Sequence, residues 1–222
     1  MSIALVAHAI AASTDANTAT TSAIDTTGAT LLVMAVGNFS SAPTHSDSKG
    51  NIWVSAGSSG SNPLVTMWYV KNPTVGAGHT FTCSSTGNAP VIMVLAFSGT
   101  DTTADVDQTN SANGSGVTSL ATGSVTPSAN NEVVVTMMAH NDSTAPTIDS
   151  GFTLADGIRN SVSLSYGGGS AYLIQTTATA ENPTWSVTNS TNITTVIATF
   201  QAAAAGGSTS TGMGLLTVGI GR

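Results

Sequence analysis

Residues 30–54 read TLLVMAVGNFSSAPTHSDSKGNIWV: an apolar run, a Ser/Pro/Asp loop, a tight Lys-Gly-Asn turn and a second run. The pattern returns later in the chain. SSAPT at 40–44 recurs as STAPT at 143–147, with Pro43 and Pro146 103 residues apart. The same offset pairs Met34 with Met137, Tyr69 with Tyr172 and Phe97 with Phe200. Anchors at one spacing predict two related sets of strands, pseudo-repeats over residues 25–100 and 128–201. Parity agrees, because Met93, Leu95 and Phe97 share one strand face, as do Val196, Ala198 and Phe200. A slip of one residue would turn either set outward. Residues 31–36 and 133–138 are apolar on both faces, as expected of strands covered on both sides.

Outward from this stretch, helical periodicity is absent, and short runs bounded by Gly, Pro, Asn and Ser follow one another. They predict an all-β chain, an antiparallel β-sandwich or jelly roll over residues 1–201. Expected strands lie near 3–10, 18–24, 30–38, 52–56, 64–70, 80–84 and 91–98 in the first half. In the second they lie near 117–125, 132–140, 152–156, 162–166, 171–177, 184–188 and 193–201. A polar segment, 99–116, reads as the loop joining the halves. After Phe200 the composition shifts to an Ala/Gly/Ser/Thr linker, 202–212, able to reach roughly 35 Å when extended. Residues 213–222 then place Leu216, Val218 and Ile220 at alternate positions beside Leu215, a short apolar strand suited to another chain's sheet edge.

Composition narrows the function. Charged residues are 7% of the 222, against a usual ~25%. The mean hydropathy of +0.22 is too high for a disordered chain. The net charge is −7, and the only cations are Lys49, Lys71, Arg159 and Arg222, too few for a phosphate-binding surface, so no nucleic-acid partner is expected. Cys83 is the sole cysteine, which excludes an internal disulfide, and it reads as a small buried hydrophobe. No apolar run approaches ~18 residues, so no membrane span is expected. The start, MSIALVAHAIAAS, lacks a basic leader region and reads as a first strand, not a signal peptide.

Catalytic patterns are sparse. The only glutamates, Glu132 and Glu181, both adjoin asparagine, and no Asp pair stands out for glycoside hydrolysis. His8, His45, His79 and His140 show no metal-ligand spacing, and no GxSxG occurs. His45/Asp47 and His140/Asp142 follow corresponding strands and could share one end of the sandwich, although solvated loop residues are the favoured reading. Asp101, Asp105 and Asp107 are weak Ca²⁺ candidates without EF-hand spacing, so no metal or other cofactor is expected. Trp53, Trp68 and Tyr166 are the aromatic residues a glycan-binding face could use, with core packing the favoured alternative. Trp185, Tyr69 and Tyr172 read as core.

The segments DTTGATLLVMAV (25–36), SDSKGNIW (46–53), MWYVKNPTVGAGHTFT (67–82) and VLAFSGTD (94–101) resemble a β-sandwich domain of phage virion proteins, also seen in bacterial surface proteins. STAPTIDSGFTLADG (143–157) and ITTVIATFQA (193–202) continue the likeness, which covers residues 3–202. That resemblance implies a non-enzymatic structural protein of the virion surface, made in the host cytoplasm. A capsid decoration (cement) protein or surface fibre domain is expected, bound to a major capsid or other virion protein. Closed symmetry would make it a homo-oligomer, a trimer or larger, though no residue specifies the number. The alternative expectation is a glycan-binding adhesin module on a phage tail or bacterial surface.

Overall fold

The computed structural model describes residues 2–13, 17–39, 42–86, 89–159 and 166–204. Fourteen strands and no helix occur among them: β1 (Ala4–Ala12), β2 (Thr18–Thr20), β3 (Leu31–Asn38), β4 (Thr44–Asp47), β5 (Val54–Gly60), β6 (Leu64–Lys71), β7 (Phe81–Ser84), β8 (Val91–Ser98), β9 (Thr109–Ala121), β10 (Val133–His140), β11 (Thr147–Ile148), β12 (Thr153–Ile158), β13 (Gly167–Ile174) and β14 (Thr184–Phe200). All pairings are antiparallel. One five-stranded sheet runs β1-β8-β3-β6-β5, and a three-stranded sheet runs β2-β7-β4. The six-stranded sheet runs β11-β14-β10-β13-β12, with β9 also paired to β14.

Alternation along the strands decides how these sheets stack. Leu31, Val33 and Ala35 of β3 join Val133, Val135 and Met137 of β10 in one core between the two large sheets. The other face of β3, Leu32, Met34 and Val36, packs with Phe81 and Cys83 beneath the three-stranded sheet. The other face of β10, Val134 and Met138, packs around Trp185 and Phe152. Both strands are buried along their whole length, as their two-sided apolar pattern requires. The sheets approach closely where they cross: a Cβ on Gly37 would lie 2.4 Å from that of Ala139. On β13, a Cβ on Gly169 would meet the Trp185 ring at 2.8 Å, which explains a glycine run inside a strand.

Aromatic contacts join the two large sheets. Tyr69 meets Phe200 with ring centroids 5.4 Å apart, and Phe97 meets Tyr172 at the same 5.4 Å. Both pairs lie in or against the shared core.

The structure corrects several sequence expectations. The segment 99–116 is not all loop, because β9 begins at Thr109. Its Thr/Asn/Ser/Gly composition gave no apolar signal, since β9 packs little and holds its place by pairing with β14. Residues 184–188 and 193–201 fall on one long strand, β14, which is irregular in register between Ser186 and Ile193. The short strands β4 and β11 fall outside the expected strands, being too short and polar to show a period. The expected strand 162–166 lies almost wholly outside the described residues, as does the linker beyond Ala204. The terminal strand with Leu215, Leu216, Val218 and Ile220 lies wholly outside them.

Candidate functional site

The densest polar cluster sits under the three-stranded sheet. Asp47, ending β4, accepts hydrogen bonds from the backbone N–H of Lys49 (2.8 Å), Asn51 Nδ2 (3.0 Å), Trp53 Nε1 (2.8 Å) and His79 Nε2 (2.9 Å). His79 Nδ1 in turn meets Thr26 Oγ1 at 2.9 Å, and its ring stacks on Phe81. The Asp47 and His79 side chains are fully buried. Burial opposes the Asp47 charge, yet the hydrogen bonds from His79, Trp53, Lys49 and Asn51 outweigh it and hold the carboxyl below its ordinary 3.8. Thr26, His79 and Asp47 form a hydroxyl–imidazole–carboxylate chain, the order of groups a nucleophilic triad uses. Here Thr26 Oγ1 is closed off by the Gly76 N–H and carbonyl, so the chain ties three loops together and presents nothing to a substrate.

The expected His45/Asp47 and His140/Asp142 sites are not brought together. His45 stacks on Trp68 at 4.0 Å while His79 takes Asp47. His140 ends β10, where its Nδ1 accepts the backbone N–H of Asp142. Burial pushes the His140 imidazole down to about 4. Burial opposes the charge of Asp142, but bonds from Asn189 and Thr144 overcome it and lower its pKa.

The three aspartates after β8 are each engaged by protein groups. Asp101 accepts from the Ala104 and Thr103 backbone and the Thr103 hydroxyl, which hold it at about 2. Asp105 is lowered by the Lys71 ammonium, 2.6 Å away. Asp107 accepts from the Ser128 N–H and hydroxyl, at 2.8 and 2.7 Å. Among the described residues no three His, Cys, Asp or Glu side chains form a metal-holding group. Beside Asp107, Glu132 is fully buried, and burial with the Asp107 charge raises its pKa. The two members of this carboxyl pair are pushed in opposite directions, and sequence reasoning missed it because 25 positions separate them.

Trp53, Trp68 and Tyr166 do not form one exposed aromatic face. Trp68 is 8% exposed and packs with the core under the three-stranded sheet, while Trp53 is half-buried against the same cluster. Tyr166 is 4% exposed in the core between the large sheets, with burial raising its hydroxyl to about 12. Cys83 is buried and its thiol is likewise pushed up to about 12.

Among the described residues, two surface clefts stand out. One, of about 570 Å³, is lined by Ile3, Ile174, Gln175 and Ala202–204, where the described chain ends. The other, of about 190 Å³, is lined by Ser, Asn, Thr and Gly residues and lies between the β5–β6 turn and β9–β14.

No family model, curated protein or solved structure matches this chain. The chain is thus known as an all-β domain of antiparallel sheets, and its function is argued from its surfaces.

The most unusual of those surfaces are sheet edges. Strand β5, VSAGSSG, is an edge of the five-stranded sheet and carries no charged residue. Ile52 just before it is 86% exposed and Val54 on it 49%. At an edge of the six-stranded sheet, β12 exposes Leu154 by 40%. Proteins ordinarily guard such edges with Lys, Pro or a covering element.

Proposed function

We propose that this chain is a non-enzymatic structural component of a phage particle, a capsid decoration protein or surface fibre domain. The observation that carries the reading is the charge-free edge at β5, seven residues with one irregularity between Ser55 and Gly57, beside exposed Ile52 and Val54. An edge of this kind on a chain with 7% charged residues favours assembly over solitary solution. The alternating segment 213–222 supplies a matching strand for a neighbour's edge, with main-chain hydrogen bonds giving affinity and Leu216, Val218 and Ile220 setting register. The closed hydrogen bonding around Asp47 and His79 supports a mechanical role.

The same reading includes a tandem repeat. Strand order supports it: β1-β8-β3-β6-β5 run side by side in one large sheet and β9-β14-β10-β13-β12 in the other. Strands β6 and β13, Leu64–Lys71 and Gly167–Ile174, lie 103 residues apart end to end. The contacts Tyr69–Phe200 and Phe97–Tyr172 exchange partners at that offset, as two copies facing each other across a two-fold axis would. A sandwich of this kind is a rigid slab with free edges, suited to lying on or between shell subunits.

Light scattering tests the edge directly. The full chain is expected at a multiple of its 22.0 kDa, and Val54→Lys or truncation after Gly212 is expected to give monomers with unchanged cooperative melting. A full-length chain that stays monomeric would overturn self-association through these elements.

A further inference from the structure

We infer that the polar cleft between the β5–β6 turn and β9–β14 is a binding site for a single neutral saccharide unit. This inference stands apart from the assembly reading and survives its failure. The cleft draws Ser61 and Asn62 from the first half, Asn113 and Ser115 from β9, and Asn192 and Thr194 from β14. None of its lining residues is charged and none has a large apolar side chain.

The amides are pre-set. Tyr166 Oη, from the buried core, donates to Asn62 Oδ1 at 3.0 Å, and Asn141 Nδ2 donates to the same oxygen at 3.4 Å. With its oxygen taken on that side, Asn62 has its Nδ2 to offer. Ser115 Oγ donates to Asn192 Oδ1 at 2.9 Å, which leaves Asn192 in the same condition. Thr194 Oγ1 is fixed on the Pro63 carbonyl at 2.8 Å. The Asn62 and Asn192 amide nitrogens are therefore neutral donors oriented by side-chain hydrogen bonds, and Asn113 and Ser61 add further neutral polar groups to the lining.

Their chemistry selects the ligand. Donors held in place call for a ligand rich in oxygen acceptors. A chain of net charge −7, with no Lys or Arg in the cleft, disfavours phosphates and carboxylates. With no large apolar or aromatic side chain in its lining, the cleft disfavours lipids and aromatic compounds. A volume of about 190 Å³, below the roughly 300 Å³ typical of drug-sized ligands, admits one sugar ring. No aromatic ring lines the cleft, so stacking adds nothing and affinity should be weak, with Kd on the order of 1 mM. Tyr166 acts here as a positioning residue through Asn62.

Nuclear magnetic resonance on the ¹⁵N-labelled full chain tests this, using methyl glycosides of glucose, galactose, mannose and N-acetylglucosamine, with glucuronate and inorganic phosphate alongside. At least one neutral glycoside is expected to give saturable shifts in the Asn62 and Asn192 side-chain signals and around Gly114. Asn62→Asp and Asn192→Ala, with spectra otherwise unchanged, should each weaken binding about tenfold, and Tyr166→Phe should weaken it less. No saturable shift with any neutral glycoside, binding by either Asn variant as tight as that of the native chain, or preference for glucuronate or phosphate would overturn the assignment.

Discussion

Asp47→Ala is expected to lose about 3–5 kcal/mol of folding stability, read as a fall in the denaturant midpoint. The carboxylate sits where β4, the Lys-Gly-Asn turn and the loop before β7 meet, and it accepts from Lys49, Asn51, Trp53 and His79. Alanine removes all these acceptors at once and leaves His79 and Trp53 with donors in a water-free site, where an unpaired group costs about 1–3 kcal/mol. A typical domain holds about 5–15 kcal/mol in all, so the variant should be partly unfolded on mild warming. Asp47→Asn should be nearly as harmful, because its NH₂ would face existing donors. Lys49→Ala, which gives up only an exposed bond to the Ala77 carbonyl, should change stability by less than about 0.5 kcal/mol. A loss below about 1 kcal/mol for Asp47→Ala would show that the network is not what ties these loops together.

The second large effect is on acid stability. His140 titrates near 4 in the folded chain because its ring is buried, and near the ordinary 6.5 when unfolded. Between those values the unfolded state binds the extra proton, so stability falls as pH drops from about 6.5 to about 4, by about 3 kcal/mol when complete. The geometry explains the reluctance to charge: Nδ1 already accepts the Asp142 N–H, and protonating it would break that bond. Buried Glu132, with a raised pKa, works in the opposite direction above 4.5, and His45, lowered by burial, works in the same direction as His140. The His140 share is therefore read as the difference between the native chain and His140→Gln across this window. A second loss begins below about 3.8, as Asp47 and Asp142, both depressed, are forced to take protons. Identical pH profiles for the native chain and His140→Gln would contradict the burial argument.

What the chain discloses before folding follows from which signals are local. Residues 31–36 and 133–138 announce strands covered on both faces, because a strand between two cores must be apolar at every position. The first part of β9, 109–116, says nothing, because its Thr/Asn/Ser/Gly side chains are held by main-chain pairing to β14, whereas Val117 and Leu120 mark the rest. The spacing His45-Ser46-Asp47 pointed to the right carboxylate with the wrong imidazole: in β4, neighbours one apart face opposite sides and neighbours two apart the same side, yet Trp68 captures His45 and His79 reaches Asp47 from 32 residues away. Trp68 and Tyr166 are aromatics a binding face could use, and their rings fill core, the reading favoured for them from the sequence. The polar cleft was invisible because its asparagines come from three separate segments, 62, 113 and 192.

The central claim, that this is an assembling particle component bound through its last ten residues, is tested most directly by particle composition. Particles would be purified from cells producing either the full chain or one ending at Gly212, and their protein content measured by quantitative mass spectrometry. The account predicts the full chain at a stoichiometric level in particles, with the shortened chain folded but left in the soluble fraction. Absence of the full chain from particles, or equal incorporation of the shortened one, would contradict it.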